Sequence, residues 1–153
     1  MTEPARTVKQ RTQDTLRRLE QDVDVWVSTA APDGAAPHLI PLSYLWDGTT
    51  VLLATPGASP TGRNLRATGT VRLGFGPTRD VVMVEGTVET RESAALPAGA
   101  GDAFAARTGF DPRALTTVYL YFRVTPRRVR AWREADELVG RDLMRDGEWL
   151  VDD

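Results

Sequence analysis

What most constrains this chain is that its apolar residues return at every second position, in short runs. Val23, Val25 and Val27 alternate with Asp24, Trp26 and Ser28. Val71, Leu73 and Phe75 repeat the pattern. So do Val82, Val84, Gly86 and Val88, set against Val81, Met83 and Glu85, and then Val118, Leu120, Phe122 and Val124. A period of two puts alternate side chains on opposite faces, so each run reads as a half-buried strand. Pro37 to Trp46 is another such run. His38, Ile40, Leu42, Tyr44 and Trp46 share one face, and Leu39, Pro41, Ser43 and Leu45 share the other. Asp47-Gly48 signals a hairpin into Val51–Thr55. Arg127 to Trp132, after Pro126, reads as a separate final barrel strand. Roughly seven short strands with few helices predict a mainly β fold, a closed or nearly closed barrel, because closure removes exposed strand edges.

The punctuation fits one domain. Thr7 to Asp22 reads as a helix, with Leu16, Leu19 and Val23 on one face and Lys9, Arg11, Arg17, Arg18 and Glu20 on a solvated one. Pro41 removes a ladder hydrogen bond, so its strand is expected at an edge or with a bulge there. Arg91 to Gly101, rich in Ala, Gly and Pro, reads as a surface loop, and Asp102 to Thr108 as a short helix ended by Gly109. In the tail, Leu143 to Val151, Asp146-Gly147 suggests a small hairpin. The 153 residues then divide into an N-terminal helix (1–22), a barrel (23–133) and a tail (134–153).

The stretch from Leu53 to Leu65 carries the first hint of chemistry. A strand ends at Thr55, and Pro56, Gly57 and Ala58 turn the chain. Ser59 suits a helix N-cap, and Pro60 suits the first helical position. A helix start binds anions through its free amides and its dipole. Thr61, Arg63 and Asn64 add a hydroxyl, a charge and an amide to that turn.

Composition narrows the chemistry. The chain has no cysteine and one histidine, His38. Thiol catalysis, cysteine-ligated metal and the usual histidine-rich zinc sites are therefore not expected. A net charge of −2 gives no general attraction to nucleic acid or to anionic membrane. The N-terminus lacks the apolar core of a signal peptide, and no run is long enough to span a bilayer. A cytoplasmic protein is expected.

Taken in order, these pieces resemble the split β-barrel family of pyridoxamine 5′-phosphate oxidase, from about Val23 to Val151. The resemblance rests on Pro37-His-Leu-Ile-Pro-Leu-Ser43, the hairpin, Leu53-Ala-Thr and the Ser59 helix start. Val81-Val-Met-Val-Glu-Gly86 follows, then Phe122-Arg-Val, Arg130-Ala-Trp132, Gly140-Arg141 and Glu148-Trp-Leu. It implies a homodimer with FMN at the subunit interface. It also implies that His38, Ile40, Pro41, Leu42 and Ser43 line the flavin ring, with Ala54 and Thr55 beside it. Ser59, Thr61, Arg63 and Asn64 would hold the phosphate. Val81 falls where the family often has glutamine, and Trp132 and Arg141 match a tryptophan and an arginine of the oxidase's cofactor site.

The departures bear on activity. Pro60 and Thr61 replace two basic residues, with Arg63 as the nearest substitute. The oxidase grips its phosphorylated substrate with a lysine and an Arg-Leu-His run, where this chain has Ser43 and Glu137-Leu-Val139. A carboxylate at 137 is expected to repel that phosphate. Relatives with Arg- and Ala-rich sequences use the deazaflavin F420, for whose acidic tail Arg63, Arg66 and Arg79 would serve. The expected function is a flavin-type oxidoreductase, FMN- or F420-dependent, acting on a small molecule other than pyridoxamine phosphate. A flavin-binding or redox-sensing module without turnover is the alternative, since no side chain stands out as an acid or base.

Overall fold

The computed structural model describes residues 3–150; residues 1–2 and 151–153, including the end of the expected tail at Val151, lie outside the described residues. The elements run α1 (Val8–Gln21), β1 (Asp24–Thr29), β2 (His38–Trp46), β3 (Val51–Pro56), α2 (Pro60–Thr68), β4 (Thr70–Phe75), β5 (Val81–Arg91), α3 (Ala100–Thr108), β6 (Tyr119–Trp132), β7 (Asp142–Arg145) and β8 (Glu148–Trp149). The sheet order is β3-β2-β1-β4-β5-β6-β7-β8, and β3 also pairs with β6. Strands β1 to β6 therefore close into a barrel, and β7 and β8 extend the sheet beyond it. The architecture is the mainly β split barrel that the alternation predicts.

Alternation works as expected in β1, β4 and β5, whereas β3 is buried continuously from Val51 to Thr55 between the barrel core and α3. Val25, Val27, Leu73, Phe75, Val82, Val84, Phe122 and Val129 all point into the barrel and are buried. Burying each such side chain contributes about 1.5–3 kcal/mol. Helices plug the two ends. Leu19 of α1 and Leu65 of α2 are each 1% exposed and join the same core. α1 lies at the Val81 end of β5, where Arg18 meets Asp80; α2 lies at the other end, where Val88 donates to the Gly69 carbonyl. α3 packs outside the barrel, with Phe104 against Tyr121, Leu52 and Ala54.

The structure decides four points that the sequence raised. The stretch from Val118 to Trp132 is not two strands but one bent strand, β6. Glu85 pairs with Arg128 and Gly86 with Pro126, so Arg127 is an extra residue at a bulge. Pro126 marks that bend rather than a break, because a bulge leaves a position where no ladder donor is needed. Gly86 permits the bend: a Cβ there would meet Val124 Cγ1 at 2.6 Å and the Thr125 carbonyl oxygen at 2.7 Å. Second, of the edge or bulge expected at Pro41, β2 shows the edge and no bulge. Tyr44 donates to the Val23 carbonyl (2.8 Å), so even-numbered residues of β2 turn their amides toward β1. The nitrogen of Pro41 faces the side where β3 pairs only with residues 44–46, which is an edge. Third, α3 begins at Ala100, ahead of Asp102, and residues 93–95 form a single 3-10 turn. Fourth, the basic face of α1 is not simply solvated: Arg11 is 5% exposed. The tail hairpin forms as expected, with Asp146 (φ 52°) and Gly147 (φ 79°) in the left-handed conformation that such a turn requires.

Candidate functional site

The strand-to-helix turn after β3 has the expected local geometry. Ser59 caps α2, its Oγ accepting from the Gly62 amide at 3.0 Å and donating to the Pro56 carbonyl at 2.7 Å. Thr55, 3% exposed, places its Oγ1 3.4 Å from Ser59 Oγ. Arg63 is exposed and donates to the Ala58 carbonyl (3.2 Å); Arg66 donates to the Gly57 carbonyl. Two guanidinium groups thus flank one turn that carries two hydroxyls. Gly62 keeps this turn tight, since a Cβ there would come within 2.4 Å of the Pro56 oxygen. The helix start itself offers few free donors. Pro60 has no N–H, the Gly62 amide is held by the cap, and Arg63 donates its amide to the Ser59 carbonyl. An anion here would rest on the arginines and on a rearranged Ser59 more than on the helix dipole. Thr61 is 1% exposed, and its Oγ1 has no hydrogen-bond partner among the described residues.

The residues expected around a flavin ring separate by face. Leu42 packs against the barrel core, and His38 and Ile40 share its parity on β2. Pro41 and Ser43 point outward, and Ser43 donates to Asp24 Oδ1 at 2.8 Å. Ala54 is buried in the α3 cluster and pairs with Tyr121 of β6. Asn64 is already engaged, donating to Thr29 Oγ1 at 3.2 Å.

Val81, Trp132 and Arg141 form a second group. Val81 pairs with Trp132 across β5 and β6, and the Arg141 guanidinium lies 5.4 Å from the Trp132 ring centroid. Such a cation–π contact orients both side chains. The Ala131 amide donates to the Arg141 carbonyl at 3.0 Å, which holds the pair together.

These two groups do not meet within one chain. Thr55 pairs with Leu120 of β6, whereas Val81 pairs with Trp132 of the same strand. Twelve residues of strand separate the two register positions (120 to 132), at most roughly 40 Å at ~3.3 Å per residue, and they lie toward opposite ends of the barrel, α2 at one and α1 at the other. One mononucleotide does not bridge that gap. The hollows of the single chain reflect this. One of about 390 Å³ lies between Asp22, Asp24, Trp26, Pro41 and Gly74 and includes Pro41 alone of the expected residues. A larger one, about 480 Å³ between Thr29, Pro37, Arg72, Glu85 and Arg127, includes none. The outward face of β1 and β2 is open and partly apolar, with Trp26 51% and Leu39 60% exposed.

Arg66, expected along the path of an acidic tail, comes instead to the turn itself, one helical step beyond Arg63. Two features carry no clear sequence signal. Asp24 meets Ser43 only through strand register. Glu137, expected as an unpaired carboxylate, is buried at 3% exposure in a fork with Arg6 (2.8 and 3.0 Å). Its charge is compensated, so the expected repulsion of a substrate phosphate by Glu137 does not arise. The Arg6 guanidinium holds its carboxyl well below the usual range, at about 2, with the Arg6 and Arg133 amides assisting.

The donor set at the turn suits an anionic phosphate: two hydroxyls and two guanidiniums, with no carboxylate among them. No helix among the described residues is long and apolar enough to cross a membrane. The family model for pyridoxamine 5′-phosphate oxidase matches residues 12–133. Solved structures share the fold. An F420 reductase aligns at 20% identity and TM-score 0.59, over 74% of this chain and 93% of that one. General stress protein 26 from Bacillus anthracis str. Sterne aligns at 16% identity and TM-score 0.56, over 79% and 93%. A Clostridium acetobutylicum protein related to general stress protein 26, of the pyridoxinephosphate oxidase family, aligns at 18% and 0.59, over 84% and 92%. No curated protein matches the chain significantly in sequence. With that family model spanning β1 to β6 and the barrel closing as described, the chain belongs to the pyridoxamine 5′-phosphate oxidase family, whose members bind flavin-type cofactors.

Proposed function

We propose that this protein is an FMN-dependent oxidoreductase, working as a homodimer with the cofactor between the two copies. The observation that carries it is the turn at 55–66, where two hydroxyls 3.4 Å apart and two guanidinium groups surround one helix start. Thr55, Ser59, Arg63 and Arg66 would hold the phosphate. Val81, Trp132 and Arg141 of the second copy would complete the ring site, and the open Trp26 and Leu39 face would lie in the contact. When bound, the cofactor supplies hydride or electron-pair transfer; the protein supplies orientation, charge and exclusion of water. His38, Ser43 and Tyr44 are the nearby groups able to exchange a proton. None is assigned a catalytic role: Tyr44 is buried with its hydroxyl donating to Leu19 O (2.9 Å), and Ser43 donates to Asp24.

F420 is the second reading. It is supported by the fold shared with an F420 reductase. Titration of the purified protein with each cofactor separates the two, since FMN absorbs at longer wavelength. Reduction by NAD(P)H or by reduced F420 then separates an enzyme from a non-catalytic binder. Arg63→Ala is expected to weaken FMN binding about tenfold or more, because a charge-assisted hydrogen bond contributes ~1.5–3 kcal/mol. Unchanged affinity by fluorescence titration would place the phosphate elsewhere.

Pyridoxamine 5′-phosphate is not the expected substrate. Ser43 is engaged with a carboxylate where a cation would be needed, and Val139 is 89% exposed with no charge to offer. Two missing charge-assisted contacts predict a deficit of about two to four orders of magnitude in specificity. The assay mixes FMN-loaded protein with pyridoxamine 5′-phosphate and oxygen and follows the aldehyde. Turnover at the rate of a dedicated oxidase would refute the assignment.

A further inference from the structure

Trp132 and Arg141 stand at the two ends of a loop whose middle is largely exposed: residues 133–136 and 138–140 all face solvent. Such a loop has little core of its own to fix its path. What fixes it is Glu137. Its Oε1 accepts from the Arg133 amide at 2.8 Å and from Arg6 Nη2 at 2.8 Å; its Oε2 accepts from the Arg6 amide at 2.9 Å and from Arg6 Nε at 3.0 Å. Arg11 of α1, buried beneath the loop, donates to the Glu137 carbonyl at 3.1 Å and to the Ala131 carbonyl at 3.5 Å. The surrounding charges complete the frame. Asp14 accepts from Arg6 (3.1 Å), and Asp80 accepts from Arg18 (2.7 Å) and lies 3.3 Å from Arg133 Nε. An apolar side chain would fill the space at 137 equally well, since buried ion pairs seldom outdo hydrophobic packing. A forked carboxylate–guanidinium pair adds direction.

We propose that the N-terminal segment is a positioning strap for the cofactor site. Arg6 and Arg11 grip Glu137 and so set the loop that lays the Arg141 guanidinium over the Trp132 ring. This rests on the reading that Trp132 and Arg141 face the cofactor. Arg6 and Arg11 are positioning residues, which act through Glu137 and the loop backbone.

The test uses the full chain with Arg6→Lys, which keeps the charge and loses the fork, and Glu137→Gln, which keeps the shape and loses the charge. Melting curves identify the folded variants. The emission of Trp132 is read without cofactor, as the difference between each protein and its Trp132→Phe counterpart. Both variants are expected to red-shift that emission and to increase its quenching by iodide about twofold. FMN affinity is expected to fall about tenfold in Arg6→Lys, and no further when Arg141→Ala is added, because the two act through one group. A Trp132 signal unchanged in a folded Arg6→Lys or Glu137→Gln protein overturns the strap. If instead Trp132 responds but Arg141→Ala leaves FMN binding intact, the strap stands and the cofactor reading falls.

Discussion

Replacing Arg6 by alanine is expected to lower the melting temperature at pH 7 by roughly 6–20 °C. Removing one partner of a buried ion pair costs ~3–5 kcal/mol, because the other charge stays buried without its counter-charge. For a domain of this size each kcal/mol shifts the midpoint by about 2–4 °C. Glu137 is 3% exposed and the Arg6 side chain 11%, so solvent does little to replace the lost guanidinium. The same contact bears on the pH dependence. Arg6, then the Arg6 and Arg133 amides, hold the Glu137 carboxyl at about 2 against an ordinary 4.5. A depressed folded value means stability that is present above 4.5 and lost as pH falls through 2. The gap corresponds to a contribution on the order of 3 kcal/mol at neutral pH. In Arg6→Ala the Glu137 carboxyl is no longer held down, so its share of the acid-induced loss of stability should disappear, and the gap between the two proteins should close as pH falls from 4.5 through 2. Melting curves at pH 7, 4 and 2 check both statements. An Arg6→Ala protein that melts within about 1 °C of the parent at pH 7 would show that the fork contributes geometry without stability.

The sequence made the barrel legible because its information is local. Strands β1, β4 and β5 carry their own period of two, and Ser59-Pro60 and Gly69 bound α2 by rules that act within a turn. The bend in β6 was not legible, because Pro126 breaks a strand in isolation and only the partner glycine at 86 accommodates it. The same distinction governs the site. The capped turn at 55–59 follows from neighbouring residues. Glu137 could not be read correctly, because its guanidinium partner lies 131 positions away. A carboxylate in a sequence is one negative charge; whether it repels a ligand depends on what the fold sets against it. Arg11 was misplaced for a similar reason. Its position on the helix face suggested solvent, yet the loop at 131–137 folds over it.

A mixture of two separately defective proteins is expected to regain cofactor binding that neither has alone. One carries Ser59→Ala and Arg63→Ala at the turn; the other carries Trp132→Ala and Arg141→Ala at the far end of β6. Each should lose two or more orders of magnitude in FMN affinity, since each forfeits more than one contact of ~1.5–3 kcal/mol. Within one chain the two groups sit at register positions 120 and 132 of β6, too far apart to share a mononucleotide. In the proposed two-fold dimer the turn of one copy would lie beside the stack of the other. Co-refolded in equal amounts, about half the dimers are mixed, and one of the two sites in each mixed dimer combines two intact halves. About a quarter of the sites should then bind FMN with the parent affinity, the remainder staying weak. Fluorescence titration reads this as a tight phase of one-quarter amplitude, and sedimentation confirms the dimer. If the mixture binds no better than its components, the site is built within one chain. Trp132 and Arg141 would then belong to some other contact, and only the turn at 55–66 would remain as the phosphate site.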